Sequence, residues 1–283
     1  MGSIYQRAQQ EQAREFRQEI LNKLEGLPAD TPDWREALKN AIDDIIQAEE
    51  QSAVEEQPAI EKEPWDFSYE KSQSAFVCGD GIVIRPIMPG DQEFYRSVRM
   101  QYSLIYRSAY YAAEDKKESL FLNEALSSEV FYCVICDSKE NQPVGYLGIK
   151  DTSADLWEIA IELDAKHTRR GLGPQSICLY LNEIQRLTGK GEFRARVEVD
   201  NLPSQKCFER LGAELIGLCD SVVLKTDDEK KRFEEKNLSL IDKHMMGLAE
   251  RLGVEPRKLL SHVLDYQLKC PLQAGGGKAQ HNH

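Results

Sequence analysis

Two glycines, Gly171 and Gly173, stand in the stretch HTRRGLGPQSICLYLNEI, just ahead of apolar residues at helical spacing. The pattern of a strand precedes them. The first turn of a helix has backbone N–H groups without internal partners and carries a partial positive charge. Glycine lets an anion approach such a backbone closely, and Arg169 and Arg170 add positive charge at the same place. The pattern favours a phosphate site, although glycines that merely turn the chain are the alternative.

The spacing around these glycines excludes two common phosphate motifs. No Gly-Lys-Ser/Thr follows, so the stretch is not a Walker A loop, and the third glycine of a dinucleotide-binding turn is missing. A second motif, DNLPSQKCFERLG, begins about thirty residues later with Asn201 at the end of a strand pattern and Ser204 near the start of a helix pattern. An asparagine in this position can hydrogen-bond an amide-bearing ligand.

These two motifs, in this order, resemble those of the GCN5-related N-acetyltransferase (GNAT) superfamily. RRGLGP is similar to the family's loop, and NLPSQKCFERLGA is similar to its Asn-x-x-Ser/Ala-x-x-x-Tyr segment. IRPIMPGD and PVGYLGI resemble the family's first and third strands. The resemblance covers about residues 81–225. It implies an α/β (α+β) fold with a mixed, mostly antiparallel twisted sheet and flanking helices, and acetyl-CoA-dependent acetyl transfer to a primary amine.

Acetyl-CoA is the cofactor that the resemblance implies. Its pyrophosphate would lie on the backbone N–H groups of the glycine loop, and its pantetheine would pair with a strand edge that opens where the strand splays from FRARVEV. The second motif would hold the CoA arm. The expected cofactor-binding residues are Ile161, Leu163, Arg169, Arg170, Gly171, Leu172, Gly173, Gln175, Asn201 and Ser204.

Acetyl transfer needs a neutral amine, so a base or a water chain must remove the proton of the amine. In the strand pattern DLWEIAIELD, Glu158 and Glu162 alternate with apolar residues and face the side opposite to them. We expect one of the two to be the catalytic base, with Glu162 also a candidate substrate anchor and a solvated or paired strand face as the alternative. The resemblance implies that Tyr110 and Tyr111 line the acceptor side, where packing is an equal alternative.

Three positions depart from the family's pattern. Thr168 stands where Gln or Arg is frequent, and Pro174 lacks the N–H group that would contact a phosphate. Phe208 stands where a tyrosine commonly protonates the departing thiolate, so the general acid has no candidate in the sequence. An interaction protein of weak or no catalytic activity, which binds a partner through helical extensions, is therefore the competing hypothesis.

The segments on either side of the 81–225 core differ from it in sequence pattern. Residues 1–57 predict a helical hairpin with one apolar face, residues 58–80 a linker, 226–270 a helical C-terminal extension and 271–283 a disordered tail. Within the extension, LAERLGVEPRKLLSHVLDYQ resembles a helix-turn-helix in which Arg257, Lys258 and His262 would face DNA. A helical hairpin packed on the core or on a second copy, making a homodimer, is the favoured alternative.

Composition narrows the class of protein further. The net charge is −12, and residues 1–75 hold 17 acidic against 8 basic residues, which disfavours nucleic-acid binding. No apolar run is long enough to span a membrane, and the N-terminus does not resemble a signal peptide, so we expect a cytoplasmic protein. The seven scattered cysteines predict no disulfide framework, and Cys133 and Cys136 lie in a strand pattern as buried residues rather than a metal or redox pair.

Overall fold

A computed structural model describes residues 64–71, 73–79, 81–102, 125–221, 224 and 226–273, together with Gln18. Apart from Gln18, the predicted helical hairpin of residues 1–57 lies outside the described residues, as do Tyr110, Tyr111 and residues 274–283 of the predicted tail.

The described residues build a sheet of eight strands in the order β1-β2-β3-β4-β5-β6-β8-β7. The strands are β1 (Val77–Gly79), β2 (Ile82–Pro86), β3 (Phe131–Asp137), β4 (Pro143–Ile149), β5 (Trp157–Leu163), β6 (Glu192–Val197), β7 (Glu214–Asp220) and β8 (His262–Lys269). The pairing of β5 with β6 is parallel, and every other pairing in this sheet is antiparallel. This mixed, mostly antiparallel sheet confirms the predicted fold class.

Helices cover the sheet on both faces. Those in the described residues are α1 (Ser68–Lys71), α2 (Gln92–Tyr102), α3 (Leu172–Thr188), α4 (Leu202–Arg210), α5 (Asp227–Asn237), α6 (Lys243–Leu252) and α7 (Lys258–Ser261). Within this part of the chain, none of the helices combines the length and the apolar character needed to cross a bilayer.

Side-chain alternation along the strands divides the buried residues into two cores. On β5, Trp157 and Ile159 face a large core that also contains Ile177 and Leu181 of α3. Ala160 faces a smaller core on the other side, under α2. The period-two pattern of an amphipathic strand predicts this division, because successive side chains point to opposite faces of a sheet.

The Cys-x-x-C pair is split between the two cores. Cys133 lies in the large core and Cys136 in the small one, so the two thiols are on opposite faces of β3. Burial raises the pKa of both thiols. Among the described residues no three His, Cys, Asp or Glu side chains gather in a way that would hold a metal ion.

The predicted linker is wrong for its second half. Phe67 is buried in the large core and stacks on Phe131 with ring centroids 4.2 Å apart. Residues 77–79 form β1, which pairs with β2 at one edge of the sheet. Phe67 therefore anchors this segment, because its buried ring outweighs the acidic, proline-broken composition on which the linker prediction rested.

The C-terminal extension is only partly helical. Its last element is β8, which lies between β6 and β7 in the sheet, so the predicted second helix is wrong for residues 262–269. Leu264, Tyr266 and Leu268 are buried at every second position. Ser221 and Leu224, which follow β7, are not in a strand.

This strand also removes the helix-turn-helix interpretation. The helix that would enter a DNA groove is the four-residue α7, and His262 begins β8. Arg257 and Lys258 lie 3.8 and 3.9 Å from the buried carboxylate of Glu234 rather than forming a basic surface.

The stretch that joins β7 to β8 contains two longer helices, α5 and α6. Thr226 caps α5 through a capping box with Glu229, and Asp242 caps α6. The predicted tail is also ordered at its start, since the backbone of Leu272 exchanges hydrogen bonds with the side chain of Asn182.

Candidate active site

The central feature of the site is a split between β5 and β6. These parallel neighbours pair at only two positions, Trp157 with Phe193 and Glu158 with Arg194, and the rest of β5 runs on without β6 beside it. A cavity of about 510 Å³ lies at this split. Its lining residues include Ile161 and Glu162 of β5, Asn201 and Ser204 at the start of α4, and Arg99 of α2.

The backbone of β5 is available along the split. Lys150 N–H donates to Glu158 O and Asp164 N–H donates to Val144 O, at 3.0 and 2.9 Å, so the even-numbered residues of this stretch bond to β4. In an antiparallel ladder the residues between them direct N–H and C=O groups to the other side. Ile161 thus turns its backbone groups toward the cavity, whereas the carbonyl of Leu163 accepts a hydrogen bond from Tyr102 Oη at 2.7 Å.

The two glycines of the loop have different roles. Gly171 has φ +79° and caps α3, and Arg169 before it has φ +64°. The backbone turns sharply here, and glycine is the residue type that adopts a positive φ without strain. No positive φ is found at Gly173, where an added Cβ would lie 3.6 Å from Cys207 Sγ, at ordinary contact distance. The turn therefore needs Gly171, and only a close ligand would need Gly173.

Not every expected backbone donor of the loop is available. Gln175 N–H is directed to Gly171 O at 3.5 Å, as the first long bond of α3, and Pro174 has no N–H. The expectation that Gln175 donates to a pyrophosphate is therefore weakened. Leu172 and Gly173, in the first helical turn, are the donors that an anion would use.

The loop lies beside the other two parts of the site. The position of a Cβ at Gly173 would be 3.6 Å from Cys207 Sγ on α4 and 3.9 Å from Leu163 Cδ1 at the end of β5. The glycine loop, the β5 edge and the second motif are therefore brought together. Burial raises the pKa of the Cys207 thiol to about 11, so this cysteine carries its proton at neutral pH.

The side-chain carbonyl of Asn201 makes a hydrogen bond within the protein. Its Oδ1 accepts the N–H of Ser204 at 3.2 Å and so caps α4. The NH₂ group is the half that remains for a ligand. Asn201 and Ser204 both line the cavity.

Glu158 lies at the point where β5 and β6 separate. Its two carboxylate oxygens pair with Lys150, which directly follows β4, and with Arg196 of β6, the latter at 2.6 Å. Glu158 is not among the residues that line the cavity, although both of its cations are. This carboxylate therefore links β5 to β6 and to the residue that follows β4.

Glu162 does line the cavity, and its carboxylate is held from two elements. Arg99 Nη1 of α2 donates to Oε1 at 2.7 Å, and the hydroxyl of Tyr146 on β4 donates to Oε2. Burial first, and Glu162 second, raises the pKa of Tyr146 well above its ordinary value. Tyr146 therefore stays protonated and keeps donating. Of the two expected candidates, Glu162 is the one at the site.

Sequence reasoning missed Arg99, Tyr102 and Tyr146. Arg99 and Glu162 are 63 residues apart in the chain, and no local spacing signals such a contact. Tyr146 opposite Glu162 could have been found from the β4–β5 register, since the two residues are direct partners in that ladder.

Phe208, which stands where the family often has tyrosine, lines the cavity and stacks on Tyr266 with centroids 6.1 Å apart. Hydroxyl groups reach the cavity from elsewhere, since Tyr102 and Tyr146 are among its lining residues. Burial raises the pKa of both, but Tyr102 donates its hydroxyl proton to Leu163 O and Tyr146 donates its own to Glu162. Neither hydroxyl is therefore assigned to the leaving thiolate.

Comparison with protein families shows which family the central part of the chain belongs to. The family model described as an acetyltransferase (GNAT) domain matches residues 82–214. Residues 82–214 form a GNAT acetyltransferase domain. Strands β2 to β6 and the start of β7 belong to this GNAT domain, and β8 completes its sheet from beyond the matched residues.

Solved structures with a similar arrangement are also acetyltransferases by name. A spermidine N-acetyltransferase from Vibrio cholerae, in a dodecameric form, is 13% identical, with a TM-score of 0.47 over 68% of this chain and 95% of that one. RimJ from Mycobacterium smegmatis, in complex with CoA-disulfide, is 15% identical, with a TM-score of 0.45 over 67% and 82%.

A ribosomal-protein-S5-alanine acetyltransferase from Vibrio fischeri is 11% identical, with a TM-score of 0.44 over 68% of this chain and 94% of that one. Values this low carry no conclusion about substrate. No curated protein sequence matches the chain significantly.

The residues present fit the coenzyme that GNAT domains use. The Ile161 backbone faces the split, where an amide-bearing chain could pair with it. Gly173 leaves the helix start without a side chain. Both features are those that a pantetheine chain and a diphosphate require.

Proposed function

We propose that this protein is an acetyl-CoA-dependent N-acetyltransferase that acetylates a primary amine of a small molecule or a peptide. One observation carries the proposal: β5 and β6 pair at two positions only, and the cavity of about 510 Å³ at their split is lined by the β5 edge and the second motif. The glycine loop lies beside the end of β5 and α4.

The chain would hold the coenzyme through its backbone. Leu172 and Gly173 N–H groups would bind the pyrophosphate, with Arg169 and Arg170 adding positive charge. The Ile161 backbone would pair with the pantetheine amides, and Asn201 and Ser204 would contact the same arm. When bound, acetyl-CoA supplies the acetyl group as an activated thioester.

Glu162 would act on the amine. A carboxylate in the cavity can bind the acceptor ammonium and take its proton directly or through a water molecule. Glu158 is unsuited to this role because it does not line the cavity in which the amine would lie, whereas Glu162 does.

A thiol-release assay with acetyl-CoA and a panel of amines and peptides tests the proposal. We expect turnover with at least one primary amine and a product heavier by one acetyl group in mass spectrometry. Binding of acetyl-CoA without turnover on any amine would support the competing interaction protein instead, and a lack of both binding and turnover would contradict the assignment of the cavity.

A further inference from the structure

We propose that Arg99 is a positioning residue that holds Glu162 ionised and in one orientation at the cavity. The inference rests on the proposed function and deepens it, because it names the group that prepares the acceptor-side carboxylate. Arg99 itself acts through Glu162.

The geometry of the pair supports this role. Arg99 comes from α2 and Glu162 from β5, and their contact is a charge-assisted hydrogen bond of 2.7 Å. The side chains are 31% and 20% exposed, so the pair is partly shielded from water and is stronger than a surface ion pair. Tyr146 binds the second oxygen and leaves the carboxylate little freedom to rotate.

The charges around the cavity single out Arg99. The titratable and charged side chains that line it are Tyr95, Arg99 and Tyr102 of α2, Tyr132 of β3, Tyr146 of β4 with Lys150 after it, Glu162 of β5, and Arg196 of β6 with Glu198 and Asp200 after it. Lys150 and Arg196 both pair with Glu158. Among the described residues, Arg99 is therefore the cation that pairs with Glu162.

Without the positive charge of Arg99, Glu162 would be protonated more easily. Removing a positive charge from hydrogen-bond distance makes a carboxylate easier to protonate, by about 1–3 pH units in comparable pairs. A protonated Glu162 would neither attract an ammonium group nor accept its proton. The Arg99 side chain thus extends the pH range over which the site works.

The test uses Arg99→Gln, with Arg96→Gln as the matched control. Arg96 lies on the same helix and pairs with Glu93. Its side chain does not line the cavity. In the ligand-free protein, the Glu162 carboxyl carbon is followed by ¹³C NMR as a function of pH, and Glu162→Gln assigns the signal by removing it.

We expect Arg99→Gln to move this titration upward by about 1–3 pH units and Arg96→Gln to leave it unchanged. The acidic limb of kcat/KM for the amine should move with it, and Arg99→Lys, which keeps the charge, should restore both. Arg99→Met retains the aliphatic stem and replaces Arg99→Gln if that variant does not fold.

If the Glu162 signal had the same titration midpoint in the neutral Arg99 variant and in Arg96→Gln, the inference would be overturned. Because the NMR titration needs no substrate, it stands apart from the proposed function. A protein that acetylates no amine would refute the function and leave the titration result readable.

Discussion

At the residue scale, Glu158 and Glu162 differ in what surrounds them rather than in position along the strand. Both face the same side of β5. Glu158 joins Lys150 and Arg196 where the strands part, whereas Glu162 reaches the cavity. We therefore expect the first to stabilise the split and the second to act on the acceptor.

Neutral variants of the two glutamates should separate these roles. We expect Glu162→Gln to lower kcat/KM for the amine about 100-fold, at the lower end of general-base contributions, with acetyl-CoA affinity unchanged. Calorimetry and steady-state kinetics measure the two quantities. A loss of acetyl-CoA affinity with normal turnover of the bound coenzyme would contradict this role, because it would place Glu162 on the coenzyme side of the cavity.

We expect Glu158→Gln to lower the free energy of unfolding by about 1–3 kcal/mol, because a partly buried carboxylate that bonds two cations is lost. Glu192→Gln, at the exposed start of β6, is the control and should change little. Urea unfolding followed by circular dichroism gives both values, and equal stabilities would contradict the joining role.

The two loop glycines give a second matched pair. Gly171→Ala should cost about 1 kcal/mol of stability, because φ is +79° there and alanine is strained in that region. Gly173→Ala should leave stability almost unchanged, since its Cβ meets only ordinary contacts, but should weaken acetyl-CoA binding at least tenfold. Unchanged affinity in Gly173→Ala would mean that this glycine cradles no phosphate.

Much of the residue-level site follows from periodicity and motif order. The alternation of β5 places both glutamates opposite the large core, and Asn201 lines the cavity. The contacts of the loop and Asn201 with the coenzyme stay predictions. Arg99 could not be predicted, because its contact with Glu162 arises only when α2 packs across β5. Tyr110 and Tyr111 lie outside the described residues, and their expected role stays a prediction.

At the element scale, β8 is the main difference between the sequence patterns and the structure. The run LDYQLK alternates apolar and polar residues, as a half-buried strand does, but RKLLSHV before it favours a helix. The helix ends after Ser261 because the chain must enter the gap between β6 and β7. Contacts with β6 stabilise the strand over the helix. One of them is the bidentate ion pair between Asp265 and Arg194, with both N–O distances at 2.8 Å.

His262 at the start of β8 should make stability depend on pH. Burial lowers the pKa of its imidazole below the ordinary 6.5, so the unfolded chain binds the proton more readily than the folded one. Its contribution is complete above pH 6.5 and is lost as pH falls below that value. Lys230, Asp220 and Lys258 are the charged groups around it.

We expect the melting temperature of the native protein to fall more steeply between pH 7 and 5 than that of His262→Asn. His244→Asn, at an exposed position on α6, should behave like the native protein. Thermal unfolding at several pH values measures the slopes, and three parallel curves would show that His262 does not contribute.

At the scale of the whole molecule, the acetyltransferase domain is not closed by the residues that match its family. The match ends at residue 214, whereas β8, which borders β6 and β7, comes after a stretch that contains α5 and α6. The sequence-based boundary at 225 therefore cuts through the sheet. Leu264, Tyr266 and Leu268 would be missing from the large core of a chain that stops there.

Truncation tests this boundary. A chain that ends at residue 225 should fail to give a cooperative unfolding transition, because β6 and β7 lose the strand between them. A chain that ends at residue 273 keeps every described element and should unfold like the full-length protein. Cooperative unfolding of the shorter chain would show that β8 is dispensable.

The account as a whole depends on the split between β5 and β6 being a coenzyme A site. Calorimetric titration of the full-length protein with acetyl-CoA tests this most directly, with thermal unfolding of the same samples. We predict one site per chain and a stabilisation of about 2.7 kcal/mol when the ligand is at 100 times its dissociation constant. The absence of both heat and thermal stabilisation at millimolar acetyl-CoA would contradict the account.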